Sequence, residues 1–151
     1  MVKKRISIFL ISVLTITLII VSVKYKSLLE EYNFQHNNAN MNFQAAISIA
    51  STALSGSTST VENYNNYDYN NAMTKIASSS LLFEFTTYAK ENKQLATILN
   101  YLSNRMQNDE YKEPIIRKSK LISDELLKLS INPEDKQATE NLFKLTKQIS
   151  P

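Results

Sequence analysis

The stretch ISIFLISVLTITLIIVSV, residues 6–23, contains no charged residue, no glycine and no proline, and it follows Lys3, Lys4 and Arg5 directly. As an α-helix rising about 1.5 Å per residue it would be roughly 27 Å long, close to the ~30 Å hydrocarbon core of a bilayer. We therefore expect residues 6–23 to form a transmembrane signal anchor in contact with membrane lipid.

Two alternatives to an uncleaved anchor are a cleaved secretory signal and a buried helix of a soluble protein. Signal cores usually span about 7 to 15 residues and end in a small-x-small site. This run is longer, and cleavage after Ser22 would place Ile20 where a small residue is usual. The uncleaved anchor is favoured, and secretion after cleavage is the alternative.

The distribution of charge predicts how the chain is oriented. Three of the 17 Lys and Arg residues precede the span, and all 14 Asp and Glu residues follow it. The positive-inside rule favours residues 1–5 as a cytoplasmic basic region and residues 24–151 as an extracytoplasmic domain of a single-pass cell-membrane protein. Because 14 cations and 14 anions follow the span, the basic pI belongs to the N-terminus, and we expect no nucleic-acid partner.

Helical periodicity predicts the fold class beyond the anchor. No Gly or Pro occurs between Val2 and Leu54, and a seam repeats every three or four residues: Leu29, Tyr32, His36, Ala39, Phe43, Ala46, Ala50 and Ala53. Gly56 fits a helix end, and Ser59 with Glu62 fits a capping box that starts a second helix. Its predicted seam is Tyr64, Tyr67, Asn71, Thr74, Ser78, Leu81, Phe85 and Tyr88.

A tight turn at residues 55–58 would make these two helices an antiparallel hairpin. Two residues, one on each helix, would then face each other where their numbers add up to about 113. A straight second helix would carry Lys90 and Lys93 into lipid at a cost of about 2.5 to 3.5 kcal/mol each. We therefore expect a break at residues 90–93, close to the membrane surface.

Three shorter helices should follow the hairpin. The first has an apolar face from Leu95 to Met106, the second begins near Pro114, and the third begins with Asn132 as its cap and Pro133 at its first position. The predicted fold is all-α: a transmembrane helix continuing into a helical hairpin, packed with about three shorter helices as a small bundle.

Residues that could perform chemistry are few. His36 is the only histidine, and there is no cysteine, so a thiol nucleophile and cysteine metal ligands are excluded. The carboxylates cluster at 30–31, 109–113, 124–125 and 134–135, where solvated helix faces and caps explain them. No P-loop, G-x-S-x-G or H-E-x-x-H motif is present. We expect no catalytic residue, no metal site and no cofactor, and hence no enzyme.

The segment NYNNYDYNN, residues 63–71, is the one unusual surface. Tyr64 and Tyr67 share a helix face, and tyrosine with asparagine suits contact with a glycan or a protein. The alternative is that both rings pack on the first helix. Tyr64 and Tyr67 are the candidate interaction surface.

These observations predict a class of function rather than a specific activity. The leading hypothesis is a non-enzymatic, membrane-anchored interaction or structural module of the cell envelope, with an envelope or membrane protein as partner. The alternative is a ligand-binding or sensory bundle that depends on a partner for output. A large mixed pocket between the helices would favour the alternative, and an exposed apolar stripe on the later helices would favour a protein partner.

Overall fold

The computed structural model describes residues 2–56 and 65–150, except for the side chains of residues 2–9 and 12. Within these ranges the chain is helical and contains no strand, so the predicted all-α class is confirmed. Two 3-10 turns, Thr87–Lys90 and Asp109–Tyr111, accompany six α-helices: α1 Val2–Ser55, α2 Asn66–Phe83, α3 Leu95–Met106, α4 Lys112–Arg117, α5 Ser119–Ile131 and α6 Lys136–Lys147.

The chain divides into two compact units, Met1–Gln35 and His36–Pro151, and α1 runs through the boundary. Over the described residues, no helix combines the length and the apolar character that crossing a membrane requires. The structure therefore does not support the predicted transmembrane helix at 6–23. Side chains 6–9 and 12 of that run lie outside the described residues.

The second half of α1 supplies one wall of the bundle core. Ala39, Phe43, Ala46, Ala50 and Ala53 are buried, which confirms the predicted seam over this part of the helix. The first two seam positions, 29 and 32, are exposed instead.

The hairpin of α1 and α2 is antiparallel, but its register differs from the predicted one. The rings of Phe43 and Phe83 are 5.0 Å apart between centroids, and Asn40 contacts Thr87. The predicted register would have paired Phe43 with Asn70. It was wrong because α2 begins at Asn66, where Asn65 accepts a hydrogen bond from the Tyr67 N–H, rather than at residue 59. The predicted capping box, Ser59 and Glu62, lies outside the described residues.

The predicted apolar seam of α2 is also wrong. The helix buries Tyr69, Ala72, Ile76 and Phe83, whereas the predicted seam positions Leu81 and Phe85 are exposed. The predicted seam included Phe85 and Tyr88, which follow the end of α2 at Phe83. Helical spacing no longer applies there.

The predicted interruption after the hairpin is present, and it is wider than residues 90–93 because α2 ends at Phe83 and α3 begins at Leu95. Two hydrogen bonds hold this interruption in place. The Thr86 hydroxyl donates to the Phe83 carbonyl at 2.6 Å, and the Asn40 side-chain oxygen accepts from the Thr87 N–H at 3.0 Å.

The remaining helices close the core. The predicted apolar face of α3 is buried throughout, and α3 packs against α2 and α6, while α5 packs against α6. The single helix predicted from Pro114 is two helices, α4 and α5. The predicted cap of α6 was three residues too early: Asp135, not Asn132, accepts from the Ala138 N–H at 2.9 Å.

Candidate functional site

The two tyrosines of the predicted interaction surface have different outcomes. Tyr64 lies outside the described residues. Tyr67 stands on the first turn of α2 with 73% of its surface exposed, so its ring does not pack in the core as the alternative required. The neighbouring Tyr69 is the packed ring, and its hydroxyl donates to the Met106 carbonyl at 3.2 Å. The interaction surface itself stays a prediction.

His36 is half-buried at the start of the second unit. Its Nδ1 lies 2.7 Å from the Phe85 carbonyl oxygen. Because a carbonyl can only accept, Nδ1 carries the proton and donates it. In the described part of the chain, no group of three His, Cys, Asp or Glu side chains is close enough to hold a metal ion.

Most of the carboxylates lie on solvated faces or at helix starts, but Glu125 does not. It lies in the middle of α5, and the residue is only 9% exposed. Its Oε1 accepts a hydrogen bond from Lys128 Nζ at 2.7 Å. Its Oε2 is buried and has no hydrogen-bond partner among the described residues. An acceptor left in this state costs free energy, commonly about 1 to 3 kcal/mol and more when charged.

Glu125 lines a groove between α5 and α6 with a volume of about 580 Å³. Three leucines, 121, 127 and 145, give the groove an apolar surface. Its polar lining consists of Asp124, Glu125, Lys128, Asn141, Lys144 and Gln148. The groove is thus a mixed surface, apolar in most of its wall and charged at a few fixed points.

Charge pairing within the helices neutralises most of this lining. Lys120 Nζ lies 2.9 Å from Asp124 Oδ1, and Lys144 Nζ lies 3.9 Å from Glu140 Oε2. The hydrogen bond with Glu125 raises the pKa of Lys128, and the charge of the same carboxylate adds to the effect. Lys128 therefore stays protonated and keeps Oε1 occupied, while Oε2 is buried without a hydrogen-bond donor among the described residues.

Three apolar side chains of α5 are exposed. Leu121, Leu127 and Ile131 are 54%, 47% and 74% exposed. On an α-helix, positions 127 and 131 are four residues apart and lie on the same side, whereas residue 121 is six positions before 127 and lies on a different side. α5 therefore presents apolar side chains on both its core side and part of its outer side.

Sequence reasoning missed Glu125, although a signal for its burial was present. Ile122, Leu126 and Leu129 are the buried apolar positions of α5, and residue 125 is three residues from the first and four from the last. That spacing places Glu125 on the core-facing side of the helix. Glu125 was predicted to be solvated together with Asp124, and this is correct for Asp124 only.

The fold and the groove together define a class: a small helical bundle with a mixed, partly apolar surface groove at its C-terminal helix pair. No family model matches the chain, and no curated protein or solved structure does so either.

Proposed function

We propose that this chain is a non-enzymatic, membrane-anchored interaction module, with the span at residues 6–23, the N-terminus inside, and the bundle facing out of the cytoplasm. The observation that carries the interaction is the exposed apolar pair Leu127 and Ile131 on α5, beside the groove that contains Glu125. Exposed apolar patches next to polar groups are typical of surfaces that dock onto another protein.

The anchoring part of the proposal is supported by the sequence of residues 6–23 and by the helix that carries it. Every described side chain of this run is exposed, including Leu14 at 67% and Val23 at 63%. A helix that is apolar on all sides is normally covered by other protein or by lipid. The basic residues at 3–5 favour lipid with the N-terminus in the cytoplasm.

Protease protection on intact cells tests the location. A C-terminal tag should be removed by external protease from a full-length chain that stays in the membrane fraction. A protected tag, or a shortened chain in the medium, would contradict the anchored and outward-facing arrangement.

Site-specific photo-crosslinking in the same cells tests the interaction. A photo-reactive amino acid at Leu127 should give a discrete crosslinked product. The matched control is Asn104, an exposed position on α3, which should give none. Equal yields at the two positions, or no product at Leu127, would contradict docking at α5.

The groove also favours a second candidate, a ligand-binding or sensory bundle. Its volume of about 580 Å³ is within the range of small-molecule sites, about 300 to 1,000 Å³. Under this alternative Leu127 would give no crosslinked protein, and small-molecule binding would perturb the groove residues.

A further inference from the structure

The part of α1 that follows residues 6–23 carries its apolar side chains mainly on one side. Residues 24–35 are helical, and four apolar residues recur there at Tyr25, Leu28, Leu29 and Tyr32. On an α-helix this spacing places them within an arc of about 100°. All four side chains are exposed, Tyr25 by 68% and Leu28 by 65%. These four residues are called the juxtamembrane stripe below.

The other sides of the same segment are polar. Lys26 Nζ lies 3.9 Å from Glu30 Oε1, so this ion pair forms within the helix and away from the stripe. Phe34 is the only apolar residue of 24–35 outside the stripe. A helix with one apolar side and one polar side normally buries the apolar side against other protein.

We infer that the juxtamembrane stripe packs against the same stripe of a second copy of this chain, with the two α1 helices parallel. The inference rests on the proposed anchoring of residues 6–23 and names the partner of the segment that follows the anchor. Two copies anchored in one membrane with the same orientation hold their stripes at the same height. In a pair related by a two-fold axis, each stripe residue then lies opposite the same residue of the other copy.

The spacing of the stripe continues into the run that precedes it. Apolar residues follow each other in alternating steps of four and three residues, at Leu14, Leu18, Val21, Tyr25, Leu28 and Tyr32. This is the heptad spacing of two helices that wind around each other with a left-handed twist. The contact along residues 14–32 is about 27 Å long, whereas the stripe alone covers only two turns.

The charges beside the stripe are compatible with an identical partner. In a parallel pair, position 24 of one helix lies beside position 29 of the other. Lys24 therefore lies next to Leu29, which its aliphatic stem can cover. Glu30 is on the outer side, where Lys26 of the same helix pairs with it. Two copies thus meet without like charges opposed across the stripe.

Anchoring explains how so short a stripe can hold two chains together. Two turns of helix form a marginal contact between molecules that diffuse freely in water. Two chains in one membrane already share an orientation and a height. This raises their effective concentration and removes part of the entropy cost of association.

Single-cysteine crosslinking in membranes tests this inference. The chain contains no cysteine, so Leu28→Cys introduces the only thiol. Two versions of the full chain with different epitope tags are expressed together, and carbonate-washed membranes are treated with a short thiol-specific bifunctional reagent. Leu28→Cys should give a product of twice the mass of one chain that carries both tags.

The matched control is Ser27→Cys, which moves the thiol by one residue to the outer side of the helix. It should give about fivefold less product, because each helix is about 10 Å across and separates the two outer side chains. Both variants place the thiol at nearly the same height above the membrane.

A second change in the Leu28→Cys chain tests whether the stripe holds the copies together. Tyr25→Asp should lower the crosslinking yield about tenfold, because two rings lose their contact and two like charges face each other. Ser27→Asp adds the same charge on the outer side and should leave the yield unchanged.

Several outcomes would overturn the inference. Equal yields from Leu28→Cys and Ser27→Cys would mean random collisions in the membrane. A product of another mass with one tag only would mean that a different protein covers the stripe. A chain that stays in the membrane pellet and gives no product would reject the pairing and leave the anchor intact. A chain absent from the pellet would contradict the proposed anchoring and, with it, this inference.

Discussion

A single arginine joins two helices of the bundle that are distant in sequence. Arg105 on α3 donates through Nη1 to the carbonyl of Thr146 at 2.7 Å and also to that of Ile149. Its guanidinium lies over the rings of Tyr101 and Tyr111, at 4.6 and 4.9 Å from their centroids. The last carbonyls of a helix have no partner within the helix, so this contact supplies donors where α6 ends.

Replacing Arg105 by Met should lower the free energy of unfolding by about 2 kcal/mol, because two carbonyls lose a charged donor and two rings lose their cation contact. Urea denaturation followed by circular dichroism measures the change. Arg105→Lys should recover part of the loss, since an ammonium cannot reproduce the forked geometry of the guanidinium.

The matched control for this prediction is Arg117→Met. Arg117 pairs with Glu113 one turn away on α4, and both side chains are more than half exposed. Surface pairs of this kind contribute about 0 to 1 kcal/mol. Equal losses in the two variants would mean that Arg105 does not stabilise the end of α6.

At the scale of the element, the orientation of α2 is the clearest difference between sequence and structure. Its apolar residues lie on two sides of the helix, with Ile76 and Phe83 on one side and Leu81 on another. In the sequence, Phe85 lies four residues after Leu81 and so favoured the side of Leu81, although Phe85 follows the end of the helix. The structure buries Ile76 and Phe83, because Phe83 reaches the Phe43 ring.

This orientation predicts a large difference between two neighbouring alanine variants. Phe83 is fully buried, so Phe83→Ala should lower the free energy of unfolding by about 3 to 5 kcal/mol. Leu81 is 73% exposed, so Leu81→Ala should change it by less than about 0.5 kcal/mol. Thermal and urea denaturation of the two variants measure both values. A larger loss for Leu81→Ala would restore the predicted seam and reject the observed one.

The contrast between α2 and α3 shows which helices the sequence could orient. On α3 the apolar residues from Leu95 to Met106 form one face, with a single way to bury them, and the prediction was correct. On the later half of α1 the predicted seam from Ala39 onward was also correct. α2 offered two faces, and the choice depends on contacts with α1 and α3 that local spacing does not contain.

The candidate site also shows what local spacing in the sequence can and cannot predict. The apolar positions of α5 were predictable from their spacing, but the burial of Glu125 depends on how α5 packs against α4 and α6. That Leu121 and Leu127 are exposed could be found only after the core face of α5 was known. Sequence pattern thus predicts which residues share a face, whereas packing decides which face is covered.

For the whole molecule, the central question is what covers the apolar helix of residues 6–23. Ile16 and Ile19 are near the middle of the run, and both are 58% exposed. An arginine at the centre of a membrane helix costs about 2.5 to 3.5 kcal/mol for insertion. The double variant Ile16→Arg with Ile19→Arg should therefore leave the membrane fraction, because two such costs exceed what the remaining apolar residues supply.

The control for the double variant uses two apolar residues of α1 outside the run. Phe34 and Met41 are 66% and 68% exposed, and Phe34→Arg with Met41→Arg adds the same charge to the same helix. Carbonate extraction of membranes, with blotting of pellet and supernatant, should find the control in the pellet and the first variant in the supernatant. If both variants stay in the pellet, residues 6–23 are not what holds the chain in the membrane. If both leave it, the added charge rather than its position is responsible, and residues 6–23 are not the anchor.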